Sequence, residues 1–293
     1  MRKRKENLTG YVFVAPALIV FLVFVAFPFF FSLFLSLTEW NFLSGWGGIQ
    51  WKGLENFAKL AGDQNFRQAV VNTVIYTVAT VPISILIALV LAYVLNGKVY
   101  LKKTLRLAFF IPYISNMVAL AAVFKFMFRD DGIINNVLLN VFHLQEVPRW
   151  LSNSELNKIP IILILIWTAV GYELIVYMAA LQNVPKELYE AGKLDGATGF
   201  KQFVHITFPM ISPTTFYLVV VRMIAAFKVF SAINIITLGT ATRGNTSLVV
   251  EIYQDAFQSY KFGYASAEAV VLFAIILAIT LFNFWGQKKW VHY

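Results

Sequence analysis

Long apolar stretches with few or no charges alternate with short polar ones along the whole chain. Residues 11–38 and 69–96 carry no charged side chain, and 106–128 carry only Arg106 and Lys125. Residues 159–183 are apolar apart from Glu173, 213–238 hold Arg222 and Lys228, and 262–287 hold only Glu268. Each stretch is long enough to cross a hydrocarbon core of ~30 Å, which takes about 20 residues of helix. Period-two alternation is nowhere sustained, so a membrane barrel is not indicated. The pattern predicts an all-α, polytopic membrane protein with six transmembrane helices, the 293 residues forming a single transmembrane domain.

Composition agrees. Hydrophobic residues make up 59% and charged residues 13% of the chain, and the mean hydropathy is +0.70. Soluble domains run at about 25% charged residues. Cysteine is absent, which excludes a disulfide framework and a thiolate site, and His143, His205 and His292 are too scattered for a His-rich metal site. The net charge of +9 gains meaning from its placement. One set of connecting segments holds thirteen Lys and Arg (Arg2 to Lys5, Lys98 to Arg106, Lys186 to Lys201, Lys288 and Lys289), and the other holds eight. Basic residues concentrate on the cytoplasmic side, so both termini are expected there and no nucleic acid is needed to explain the charge. Trp40, Trp46, Trp51 and Trp150 fall on the outer side, and Trp285 and Trp290 on the inner side, as an interfacial belt would. The first apolar stretch is longer than the roughly 7–15 residues of a signal-peptide core, so it is read as a retained helix.

The most informative polar segment is the cytoplasmic one at 184–210. Pro185 suits a helix start, Glu187 and Glu190 favour its positive end, Gly196 suits a left-handed stop, and Thr198 can cap a second short helix. Pro209 is expected to break the chain before the next span. The small residues Ala191 and Gly192 beside Glu190 and Asp195 would let a partner backbone approach closely. Read physically, the segment is either a docking element or a plain connection between two spans.

The same residues resemble a family motif. Glu190-Ala191-Gly192, then Gly196, then Ile206-Thr207-Phe208-Pro209 keep every spacing of the "EAA" loop of permeases in binding-protein-dependent ABC importers. Gly192 stands where the second Ala is usual and Phe208 where Leu is usual. Leu181 to Pro185, Asp195-Gly196-Ala197, Phe230, Glu251-Ile252-Tyr253 with Ala256-Phe257, and Phe262 to Ala267 resemble the sugar-importer branch. The Thr-x-Gly-Gly-Pro turn common in that branch is missing between Thr237 and Asn245, which implies a differently shaped outer loop.

What the resemblance implies is a transport subunit that hydrolyses nothing and sits as a multi-pass protein in a bacterial or archaeal cytoplasmic membrane. The phosphate cradle G-x-x-x-x-G-K-[ST] is absent: Gly97-Lys98 and Gly192-Lys193 both lack its flanking residues. By resemblance, ATP and Mg belong to a separate ATPase, and the loop around Glu190, Ala191, Gly192, Asp195, Gly196, Ile206 and Pro209 docks on it. A second homologous permease, two ATPase copies and an extracytoplasmic sugar-binding protein are the expected partners, with lipid around the spans. No cofactor, metal or catalytic residue is expected on this chain. The cargo would be an oligosaccharide or a related sugar or polyol. An ion-coupled secondary transporter is the alternative, and an intramembrane transferase is disfavoured because Asp130-Asp131 stands alone.

Charges inside the spans are candidates for a substrate path or gate, since each costs about 2.5–3.5 kcal/mol at the membrane centre if unpaired. Counting 1.5 Å per residue, Glu173 and Arg222 lie at matching depths on consecutive antiparallel spans, as a structural clasp or as part of a gate. Lys228 either lines a wet cavity or reaches the outer interface. Tyr177, one turn from Glu173, and Asn234 complete the set of path candidates. Lys125 and Glu268 are expected to reach the membrane interface, and Pro28 and Pro82 to mark kinks.

Overall fold

The computed structural model describes residues 2–97, 99–289 and 291, with only the backbone of residues 2–10 and 289. Lys98, Trp290 and His292, on which the sequence reading drew, lie outside the described residues, as do the side chains of Arg2 to Lys5 and Lys289.

Most of the described residues are helical. In order come α1 (Arg2–Phe21), α2 (Phe27–Ser36), the strands β1 (Thr38–Glu39) and β2 (Gln50–Trp51), α3 (Glu55–Gly62) and α4 (Gln64–Asn96). Next are α5 (Lys102–Ile114), α6 (Met117–Met127), α7 (Ile133–Asn140), α8 (Ile159–Gln182), α9 (Lys186–Leu194) and α10 (Gly199–Gln202). The remainder is α11 (Phe208–Phe227), α12 (Ser231–Ile236), α13 (Leu248–Tyr253) and α14 (Phe262–Gly286). Among the described residues, five candidate spans are long and apolar enough to cross a membrane: Tyr11–Ser36, Gln64–Asn96, Ile159–Gln182, Gly199–Phe227 and Phe262–Gly286. The pair α5 and α6 makes a sixth if it is one broken span.

Three differences from the straight-span expectation have local causes. The stretch 106–128 is not one straight helix: α5 and α6 meet at 97°. Ser115 and Asn116 are extended, and the Asn116 side chain accepts a hydrogen bond from the Val118 amide at 2.8 Å, starting α6 afresh. The fifth span begins before Pro209 and ends before Lys228. A π turn at Phe203–Thr207 joins α10 to α11, with the Phe208 amide bonded to the Phe203 carbonyl. Proline at 209 has no N–H and would clash with the carbonyl four residues back, and the wider turn carries that carbonyl aside. Pro209 is thus accommodated within a helix rather than breaking it. Pro28 receives the same treatment from a π turn at Leu22–Ala26. At the other end, α11 stops at Phe227, and Asn234 lies on the separate short α12.

The described residues within Met1–Phe66 and Glu251–Ala274 form one compact unit, and those within Arg67–Val250 and Ile275–Tyr293 another. In the first, β1 pairs antiparallel with β2, Thr38 opposite Trp51. Asn56 donates to the carbonyls of Ser36 and Thr38 at 2.9 and 2.8 Å. Gly263 packs on this turn so closely that a Cβ there would collide with the Thr38 carbonyl. Trp40, expected at the interface, is buried, stacks on Trp46 and donates to the Gly45 carbonyl. Residues 11–36 expose nearly all their apolar side chains, as a lipid-facing helix does.

In the second unit, the described residues form two apolar clusters. One joins α4, α8 and α11 through Ile85, Leu174, Tyr177 and Leu218. The other gathers Tyr76, Ala121, Ile164 and Ile233. Gly171 lets α8 cross α5: a Cβ would stand 2.4 Å from the Phe109 carbonyl oxygen.

Candidate functional site: a buried ion pair, a cavity and an exposed helix

The ion pair, the cavity beside it and the helix that follows α8 all lie in the second unit. On α8 and α11, Arg222 Nε lies 2.9 Å from Glu173 Oε1, and Ser84 Oγ on α4 donates to the same oxygen at 2.9 Å. Glu173 is 0% exposed and Arg222 20%. One turn along α8, the Tyr177 hydroxyl donates to Thr215 Oγ1 at 3.1 Å. Next to Glu173, Tyr172 shares a hydrogen bond with Tyr217 at 2.9 Å and stacks on Tyr113 of α5 with ring centres 5.2 Å apart. The α8–α11 contact therefore includes a ladder of three polar pairs among its apolar packing.

Arg222 also faces a cavity of about 340 Å³. Its polar wall comes from Thr80 and Ser84 on α4, Tyr113 and Ser115 at the bend of α5, Thr168 on α8 and Ser231 on α12. Among the described residues of this lining Arg222 is the one cation, and a cation among hydroxyls and apolar groups suits a polyhydroxylated ligand, whose lost water contacts must be replaced. The bend at Ser115 and the break after α11 both border this cavity.

Of the path candidates read from sequence, Arg222 lines the cavity. Glu173 stands behind it as its anchor. Tyr177 is 0% exposed in the core and Lys228, at the end of α11, is exposed; neither lines the cavity, and neither does Asn234. What sequence reading missed is a stripe of hydroxyls on α4: Thr73, Thr77, Thr80 and Ser84, spaced at one helical turn. The first three return hydrogen bonds to α4 carbonyls, and the last two reach the cavity. The spacing was the available signal. Glu268, expected to reach the interface, is instead fully buried in the first unit, and among the described residues neither of its oxygens has a hydrogen-bond partner.

The segment after α8 is ordered by its sequence. Pro185 precedes α9 with an extended ψ of 133°, Glu187 sits in the first turn, and Gly196 ends the helix at φ +74°. The left-handed value favours glycine there. Thr198 then caps α10, accepting from the Lys201 amide at 3.5 Å. Glu190, Ala191, Asp195 and Gly196 face outward, whereas Gly192, Ile206 and Pro209 are half-buried. Gly192 has a packing reason: a Cβ there would approach Ile206 Cδ1 at 3.0 Å. Leu194 and Phe200 are 90% and 77% exposed. The segment thus presents acidic, small and apolar residues together on its open side.

Among the described residues, no group of three or more His, Cys, Asp or Glu could hold a metal ion.

Known proteins share this architecture. The chain is similar to the lactose transport system permease protein LacF of Rhizobium radiobacter, 33% identical over 98% of this chain and 96% of that protein. It is similar to a probable ABC transporter permease protein, YesP, of Bacillus subtilis, 35% identical over 99% of this chain and 94% of that one. Among solved structures, it matches a bacterial alginate ABC transporter in complex with an alginate pentasaccharide-bound periplasmic protein. The TM-score is 0.82 at 25% identity, covering 98% of this chain and 96% of that one. The family of binding-protein-dependent transport system inner membrane components matches residues 57–290. That match takes in both the ion pair and the helix that follows α8, and the chain belongs to this family of membrane-spanning transport subunits.

Proposed function

We propose that the chain is the permease subunit of an ATP-driven importer for an oligosaccharide or related sugar, with both termini in the cytoplasm and six spans. The observation that carries the reading is α9: a short exposed helix, ended by left-handed Gly196, that offers Glu190, Ala191, Asp195 and the bare apolar Leu194 to a partner. Exposed apolar groups rimmed by charge mark a protein-binding surface. The partner is an ATPase subunit that holds ATP and Mg, present in two copies, and a second homologous permease completes the membrane part.

The cargo reading rests on the hydroxyl-lined cavity beside Arg222 and on the lactose and alginate named for the relatives. A periplasmic sugar-loaded protein accompanies the alginate transporter, and a counterpart would deliver cargo here. Within the path, Thr80, Ser84, Tyr113 and Arg222 contact the passing sugar, and Glu173 holds Arg222 in place. ATP binding would favour one arrangement of the spans over another, a two-state coupling.

Detergent extraction of the tagged chain from its native membrane, followed by mass spectrometry, tests this. Wild type should bring down an ATPase and a second six-span protein, and Glu190→Arg should lose the ATPase. Recovery of the chain alone under gentle conditions would overturn the reading and favour an ion-coupled secondary transporter.

A further inference from the structure

Helix α9 and span α11 are joined covalently by a soft link. Between them the chain passes through Gly196 in the left-handed region and Gly199 at the start of α10, two positions of wide backbone freedom. A push on α9 would be absorbed there unless side chains tie it to the span. The structure contains such a tie. Tyr189 Oη and Thr207 Oγ1 are 2.9 Å apart, and Thr207 is fully buried. One turn further along the same face of α9, the Ile206 side chain lies beside Gly192, with its Cδ1 3.0 Å from where a Cβ would stand. The Gln202 side chain closes the intervening loop by donating to the Ala197 carbonyl at 3.2 Å.

Both anchor points, Ile206 and Thr207, belong to the π turn at Phe203–Thr207. Pro209 deprives this stretch of one helical donor, so it is where the helix that continues into α11 is least able to hold a plain α register. Beyond the turn, α11 carries Thr215, Tyr217 and Arg222, each paired with a residue of α8. Polar pairs of this kind can be exchanged when one helix shifts against another.

We propose that the Tyr189–Thr207 hydroxyl bond is the tie through which movement of α9 reaches α11 and the cavity, with the π turn as the bending point. Tyr189 and Thr207 are then positioning residues for coupling and touch neither sugar nor ATP. The proposal rests on α9 being the ATPase-docking helix.

The test uses the intact transporter with its ATPase, reconstituted in lipid. The chain has no cysteine of its own, so Ser231→Cys on the cavity wall gives a single reporter in this subunit. Its rate of labelling by a water-soluble maleimide is followed with and without ATP plus vanadate. With the tie intact, trapping should change the rate. In Tyr189→Phe, and independently in Thr207→Val from the other side of the bond, the change should shrink by roughly five-fold, as for loss of one buried hydrogen bond. ATPase recovery and ATP hydrolysis should persist in both, and Thr207→Ser, which keeps the hydroxyl, should restore the full change. Bound ATPase with an undiminished change in both variants, or failure of Thr207→Ser to restore it, overturns the proposal alone. Absence of the ATPase from the wild-type sample overturns the docking reading, and this proposal with it.

Discussion

Arg222 Nε and Glu173 Oε1 stand 2.9 Å apart, joining α11 to α8 at a point where the carboxylate is fully buried and also accepts a hydrogen bond from Ser84. In an apolar surrounding, two charges cost several kcal/mol each to bring out of water, and their attraction offsets this only while both are present. Among the described residues, the second carboxylate oxygen of Glu173 has no hydrogen-bond partner, so the pair leans on the contact through Oε1.

Removing one partner should therefore cost more than removing both. Arg222→Gln leaves a buried carboxylate alone and should destabilise the protein by about 3–5 kcal/mol, seen as a lower melting temperature by fluorescence-detected size exclusion in detergent. Glu173→Gln with Arg222→Gln should recover much of that loss. Ser84→Ala should cost about 1 kcal/mol. Single variants that melt like wild type would show that the pair contributes nothing to the fold. If both single variants abolish transport, an exchanged pair that also fails would remove support for a pairing role in transport.

Gly171 fixes how closely α8 crosses α5. Its missing Cβ would lie 2.4 Å from the Phe109 carbonyl oxygen, a backbone atom that cannot turn aside. Gly171→Ala should force the helices apart at a cost of about 1–3 kcal/mol, with larger residues worse. The measurement is again the melting temperature, and a neutral Gly171→Val would refute the close crossing.

Gly192 faces a softer neighbour. A Cβ there would approach the end of the Ile206 side chain at 3.0 Å, and that end can rotate. Gly192→Ala should leave ATPase recovery intact, whereas Gly192→Leu should lift α9 from the π turn and reduce it. Equal recovery with Leu would mean that this packing does not position the helix.

Two carboxylates lining the cavity of about 760 Å³ in the first unit should respond oppositely to pH. Burial pushes Asp63 up, but hydrogen bonds from the Tyr264 hydroxyl and from the amides of Asn65 and Phe66, with Lys261 nearby, outweigh it and hold the carboxyl below the ordinary range. Its stabilising contribution is present above its unfolded value of 3.8 and is lost as pH falls through the folded one. Asp63→Asn should lower the melting temperature at pH 7, with the gap closing in acid. Burial pushes Asp255 up, and Lys261 at 3.6 Å only partly opposes it. Here the fold disfavours the charged form, so Asp255→Asn should raise the melting temperature at pH 7, and that gain should vanish as pH falls below 3.8. Parallel shifts for the two variants would contradict these environments.

The pairing of Glu173 with Arg222 is readable from sequence, because helical rise converts position along the chain into membrane depth and an unpaired charge at that depth is costly. The stop at Gly196 and the cap at Thr198 are readable for a similar reason: both depend on a single residue's backbone or side-chain chemistry. The directions in which Tyr177 and Lys228 face are not readable by the same logic. Depth says how far along a span a residue sits, and the direction a side chain faces depends on which helices pack there.

The sequence by itself determined that this is a helical membrane protein, where its apolar segments lie, and that a charged pair and a capped, exposed helix punctuate them. These follow from hydrophobicity, helical rise and local capping, which act over one or two turns of chain. Only the tertiary structure decided the 97° bend at Ser115, the π turns that carry Pro28 and Pro209, and the hydroxyl wall shared by α4, α5, α8 and α12. The bend and the π turns have local causes, the Asn116 cap and the two prolines, but whether a span bends or absorbs them is settled only in the folded chain. The hydroxyl wall arises where helices distant in sequence meet, through side-chain packing that no single segment encodes.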